Sequence, residues 1–233
     1  MSAASGNMMP NDNATRAQMA AMLVRVFGCT AGKDIAFFSD VNRDAWYYPE
    51  LSTAVQMNIL SGYGDGTIGP NRSITRQEAM IVIARAFAVP DGTAADIQAF
   101  RDASSVGSWA VAKVGGLVKA GIVNGDNGSL YPTASITRAE IAQMLYNLGL
   151  QFCSDAAALP ASGRVIYTGA APLTADAFTG TLYLGGPAGR DLGGDVHTAL
   201  LRPPDDVDRS GGGEVAHVQA RADVLGEQHD DLL

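Results

Sequence analysis

Ser73-Ile74-Thr75-Arg76-Gln77-Glu78, followed by the apolar run Ala79 to Val89, is the stretch on which the fold turns. Thr75 has the hydroxyl of a helix N-cap, and Glu78, three residues on, supplies the reciprocal acceptor of a capping box. The hexad returns as Ser135-Ile136-Thr137-Arg138-Ala139-Glu140 before the run Ile141 to Leu150, and in weaker form as Asn13-Ala14-Thr15-Arg16-Ala17-Gln18. The period is about 60 residues. The runs behind the caps are too apolar for solvated helices, so the helices they form are expected to share one core.

Further blocks repeat in the same order around this hexad. Phe38-Ser39-Asp40-Val41 with Trp46 matches Phe100-Arg101-Asp102-Ala103 with Trp109. Asn58-Ile59-Leu60-Ser61-Gly62 matches Gly121-Ile122-Val123-Asn124-Gly125, and Asp65 to Pro70 matches Asn127 to Pro132. Leu51, Ala54, Val55 and Ile59, like Val114, Leu117, Val118 and Ile122, stand at helical spacing. Each repeat therefore reads as helix, glycine-rich loop, helix. The first helix starts near Pro49 or Ala110, and Asn58 or Gly121 suits the left-handed residue that ends it.

The combination Phe-x-Asp, then Trp, then Gly-Tyr-Gly-Asp-Gly-Thr (residues 62–67), then Ile-Thr-Arg-x-Glu resembles the S-layer homology repeat. The resemblance covers residues 7–150. It divides them into a partial repeat at 7–28 and fuller repeats at 38–88 and 100–150. It implies an all-α pseudo-threefold helical assembly whose grooves hold a secondary cell-wall polysaccharide, often a pyruvylated one. The implied role is non-covalent anchoring of a surface protein at the bacterial cell wall. An alternative is the anchor part of an exported polysaccharide-degrading enzyme whose catalytic domain lies outside this chain. Asn7-Met8-Met9-Pro10 aligns with Thr67-Ile68-Gly69-Pro70, so the first copy enters at the end of its loop. An envelope anchor must leave the cytoplasm, so an export signal is expected upstream of Met1.

Charge and residue usage exclude other classes. The net charge is −8, and the 16 Lys and Arg form no basic stripe, which argues against a nucleic-acid partner. No stretch approaches the 18 apolar residues of a membrane span. Cys29 and Cys153 are too few for a disulfide framework and lack zinc-site spacing, so no metal or cofactor is expected. The glycine loop Gly62 to Thr67 has neither the Gly-Lys-Ser/Thr of a phosphate loop nor the ligand spacing of an EF-hand. All three histidines, His197, His217 and His229, lie outside the repeats, so no catalytic set forms there and a non-enzymatic module is expected.

The candidate ligand-binding residues are those that recur. Arg16, Arg76 and Arg138 each occupy a first helical position, where a cation opposes the helix dipole at a cost of about 0.3–1 kcal/mol. An unfavourable choice made three times points to an offsetting use: an anion seated at an exposed helix start, or a salt bridge to a neighbouring Asp. Asp40 and Asp102 join the candidates, or cap the turn before the first helix. Trp46 and Trp109 are core anchors or sugar platforms, with core packing slightly favoured. Gly62 and Gly125 let a ligand approach the backbone closely.

Residues 1–150 carry 12 acidic and 11 basic groups, so the negative excess lies beyond them. There the pattern changes. Arg164 to Gly169 and Gly180 to Gly185 read as short strands, making 151–185 a linker or the start of a β-rich region without a core of its own. Residues 186–233 read as a disordered tail, giving an irregular or weakly β C-terminal part overall.

Overall fold

The computed structural model describes residues 8–30, 32–169, 178–184 and 198–201. The three hexads start three helices: α1 (Arg16–Phe27), α3 (Arg76–Ala86) and α6 (Arg138–Asn147). Each has a complete capping box on Thr15, Thr75 or Thr137, including the copy with Gln18 in place of Glu. The first helices of the two fuller repeats are α2 (Tyr48–Gln56), with Pro49 in its first turn, and α5 (Val111–Lys119). Asn58 (φ 58°) and Gly121 (φ 70°) are left-handed just beyond them. A four-residue helix, α4 (Ala94–Ile97), precedes the second Phe-x-Asp block.

A helix start leaves backbone N–H groups without intrahelical partners. Here the loop of the next copy accepts them. The amides of Arg16 and Ala17 donate to the carbonyls of Arg72 and Pro70 (both 3.0 Å), and those of Arg76 and Gln77 to Ala134 and Pro132 (both 2.9 Å). The amides of Arg138 and Ala139 return to Asp12 and Pro10 (3.0 and 2.9 Å), so the last copy closes on the first. A second circuit lies inside this one: Ala14 donates to Ile136, Ile136 to Ile74, and Ile74 to Ala14, at 2.9–3.1 Å. The side chains of Ala14, Ile74 and Ile136 are fully buried at this junction. The expectation of exposed helix starts open to an anion is thus corrected for these first two amides of each helix.

Helix α1 packs against α2, and α3 against α5. Among the described residues α6 has no comparably close helix partner. Its buried residues are accordingly Ile141 and Met144, against eight in α1 and nine in α3, and Tyr146 is 81% exposed. No helix among the described residues is long and apolar enough to cross a membrane.

Beyond α6 lie four strands, β1 (Leu150–Cys153), β2 (Ser162–Tyr167), β3 (Thr179–Leu184) and β4 (Thr198–Leu201), ordered β1-β2-β3-β4. The first three are parallel and β4 is antiparallel to β3. Alternation along the strands splits their side chains between two faces. Ile166 and Tyr183 join the helical core, while Val165, Tyr167 and Leu182 form a smaller cluster with Cys153 and Phe178. The tail therefore has a core of its own and also docks on the helices, a correction to the sequence reading. β4 likewise falls within the stretch read as disordered. The rest of 186–233, with its three histidines, lies outside the described residues, as do residue 7 and 170–177. Cys29 and Cys153 are not joined by a disulfide.

Candidate functional site

A cavity of about 220 Å³ opens where three copies meet. Copy one contributes Arg16, copy two the strip Ile59 to Tyr63 with Glu78, Ile81, Val82 and Arg85 of α3, and copy three Trp109. Arg16, Gly62 and Trp109, singled out separately in the sequence, are thus brought to one place.

The arginines are scaffolding as well as wall. Arg16, 4% exposed, donates from Nε to the carbonyl of Ile68 (2.8 Å) and from Nη2 to that of Ser61 (2.7 Å), and its Nη1 lies 3.5 Å from Glu78 Oε1. Its guanidinium stacks on Tyr63 at 4.4 Å, and Arg72 lies over the same ring at 4.8 Å. Burial pulls the Arg16 guanidinium below its ordinary value, opposed by Tyr63 and Glu78, and an arginine keeps its proton regardless. Burial likewise raises the Tyr63 phenol; its hydroxyl donates to Glu78 Oε1 at 3.0 Å. Arg76 repeats the theme, with Nε to Leu130 (2.9 Å) and Nη1 to Glu140 Oε1 (2.6 Å). The partner carboxylates are the capping glutamates of the following copy, not neighbouring aspartates. Glu78 and Glu140 use Oε2 for the cap and Oε1 for the arginine.

Arg138 differs. Its Nε and Nη2 are buried without a hydrogen-bond partner. Following the circuit, its carboxylate would come from copy one, where Gln18 stands in place of Glu.

Asp40 and Asp102 do not cap the first helix. Asp40 accepts from the amides of Ile68 (2.9 Å) and Gly69 (2.7 Å), and Asp102 from Leu130 (2.8 Å) and Tyr131 (2.7 Å). Each pins the far end of its glycine loop, a pairing across 28 or 29 residues. Gly62 and Gly125 lie against the rings of Phe38 and Phe100, which leave no room for a Cβ. Trp46 and Trp109 are 56% and 60% exposed, so the favoured core reading is overturned. Trp109, held in the open at the cavity, presents its indole to an apolar or sugar surface.

Sequence reasoning missed Tyr63, Gln77 and Arg85. Gln77 Oε1 accepts from the amide of Gly107 (2.9 Å), fixing the turn that leads to Trp109. Among the described residues no cluster of three or more His, Cys, Asp or Glu could hold a metal.

A helical repeat module with a groove between copies is the class these features define. Residues 37–80 and 99–142 match the S-layer homology domain, and the chain carries two such domains. It is 34% identical over 144 residues to the surface-layer 125 kDa protein of Lysinibacillus sphaericus, covering 60% of this chain and 12% of that protein. It is 33% identical over 143 residues to an amylopullulanase of Thermoanaerobacterium thermosulfurigenes (60% and 8%), and 30% over 149 residues to a cellulosome-anchoring protein of Acetivibrio thermocellus (60% and 33%). The chain thus spans a third or less of the length of these relatives.

Proposed function

We propose that residues 7–150 anchor a polypeptide non-covalently at the bacterial cell wall by binding a secondary cell-wall polysaccharide, in a pseudo-threefold arrangement of the three copies. The closed circuit of backbone hydrogen bonds supports that arrangement. The observation that carries the binding role is the cavity beside an exposed Trp109, walled by the glycine loop of copy two. The module is non-catalytic in this reading and works at the cell surface. The amylopullulanase relative equally supports the anchor region of an exported enzyme, since the likeness lies in the repeats rather than in a catalytic domain.

The circuit also ranks the grooves. The groove built from Arg16, Gly62 and Trp109 has all three kinds of wall. Its counterpart at Arg76 and Gly125 would take its tryptophan from copy one. The counterpart at Arg138 has Trp46 but an unpartnered guanidinium. Binding is therefore assigned chiefly to the first groove, with Arg16 and Asp40 shaping it, and Arg76, Arg138, Asp102, Trp46 and Gly125 contributing to weaker ones. A pyruvyl carboxylate on the polymer would suit the arginine-rich wall.

Co-sedimentation with purified walls tests this. The chain should pellet with intact walls and stay in solution with walls stripped of their secondary polymer. Trp109→Ala should weaken binding more than Trp46→Ala. Equal binding to stripped walls would overturn the reading.

A further inference from the structure

The tenth residue of each capped helix is Arg25 in α1, Arg85 in α3 and Asn147 in α6. Two of the three are spoken for. Arg25 Nη2 bonds Glu50 Oε1 at 2.8 Å, and Asn147 Nδ2 donates to the carbonyl of Ile122 at 2.9 Å. The residue of copy three equivalent to Glu50, immediately before Val114 as Glu50 is before Leu51, is Lys113. Its ammonium turns to Asp91 Oδ1 at 2.6 Å. The position that supplies a carboxylate to Arg25 therefore supplies a cation in the neighbourhood of α3. Among the described residues Arg85 has no hydrogen bond or ion pair through its side chain, it is exposed, and it lines the same cavity as Trp109.

We propose that Arg85 is the charge-reading residue of this groove and selects an anionic sugar unit, one bearing a carboxylate or a phosphate. This inference rests on the wall-binding reading above. Arg16 is poorly suited to the role, because its three nitrogens already face two carbonyls and Glu78. A guanidinium without an internal partner keeps its fork of donors for a ligand, and a planar oxyanion matches that fork. Its place in the last turn of α3 also favours a cation through the helix dipole. That structural role would be satisfied in solvent and needs no cavity, whereas Arg85 lines one. Ile81 and Val82 beside it offer an apolar floor for the ring carrying the charge.

The test compares the full chain with Arg85→Ala and Arg85→Lys on purified walls, untreated and with carboxyl groups amidated, alongside melting temperatures. The alanine variant should bind untreated walls about tenfold more weakly or worse, as expected for loss of one charge-assisted contact. Lysine should recover part of that loss, and both should melt close to the parent, since no internal partner is removed. If amidation erases the difference between parent and Arg85→Ala, the charge read is a carboxylate; if the difference survives, it is a phosphate. Either supports the proposal. A parent that binds untreated walls no better than Arg85→Ala overturns the role of Arg85 alone. A parent that does not bind untreated walls overturns the wall-binding reading and this inference with it.

Discussion

Replacing the three arginines one at a time with alanine should give three different stability changes, although the sequence presents them identically. For Arg76→Ala the main loss is the bond from a charged donor to the Leu130 carbonyl, about 1.5–3 kcal/mol. The ion pair with Glu140 adds about 0.5–1 kcal/mol, because the Glu140 side chain is 43% exposed and screened by water. Relief of a cation at a helix start returns about 0.3–1 kcal/mol. The net is destabilisation by about 1–4 kcal/mol, at about 2–4 °C in melting temperature per kcal/mol. Arg16→Ala removes bonds to two carbonyls and a stacked ring, so it should cost more, about 3–5 kcal/mol. Arg138→Ala removes a guanidinium with two orphaned nitrogens, so stability should stay level or rise slightly. Chemical denaturation with the slope monitored is the assay. Equal losses for Arg76 and Arg138, or no loss for Arg16, would refute the assignment of these side chains to the internal circuit.

Asp102→Ala should destabilise by about 2–4 kcal/mol by unpinning two loop amides, and hydrogen exchange at Leu130 and Tyr131 should speed up selectively. Gly125→Ala should cost more than about 1 kcal/mol and lower the denaturation midpoint, since φ is +70° and a Cβ would sit 2.6 Å from the Phe100 ring. The Tyr183 phenol is pushed up to about 12 by burial. Its folded value exceeds the ordinary value of about 10, so its contribution is intact below about pH 10 and is lost as pH climbs from there through about 12, up to about 2–3 kcal/mol. Tyr183→Phe should flatten that alkaline fall while lowering neutral-pH stability by about 1 kcal/mol, through loss of the 2.8 Å bond to the Phe87 carbonyl. Denaturation midpoints across the alkaline range check both.

Local grammar made much of the helical part legible. Thr-x-x-Glu caps, a proline in the first turn of α2, and the left-handed Asn58 and Gly121 are decided within a few residues, and all appear where the sequence put them. The partners of side chains across copies were not legible. Arg76 meets Glu140 across 64 residues, and Asp40 meets the Ile68 amide across 28. Both follow from the loop of one copy seating on the helix start of another, which no local window contains. The exposure of Trp46 and Trp109 was misjudged because an aromatic once per repeat fits core and groove equally well. The docking of Tyr183 between Phe27 and Phe87 depends on which strand face meets the helices, and short strands give little alternation to read.

The circuit of amides running from copy one to two, two to three, and three back to one bears on how such a chain can change in length. An open stack of repeats tolerates duplication or loss of a unit, because every interior unit meets only its neighbours. A ring does arithmetic. Inserting a fourth copy would separate the carbonyls of Pro10 and Asp12 from the amides of Ala139 and Arg138 that they now accept, and deleting one would leave a helix start facing no loop. A change in copy number would thus break hydrogen bonds that now bridge the last copy and the first. Side-chain substitutions that spare these backbone contacts leave the circuit intact.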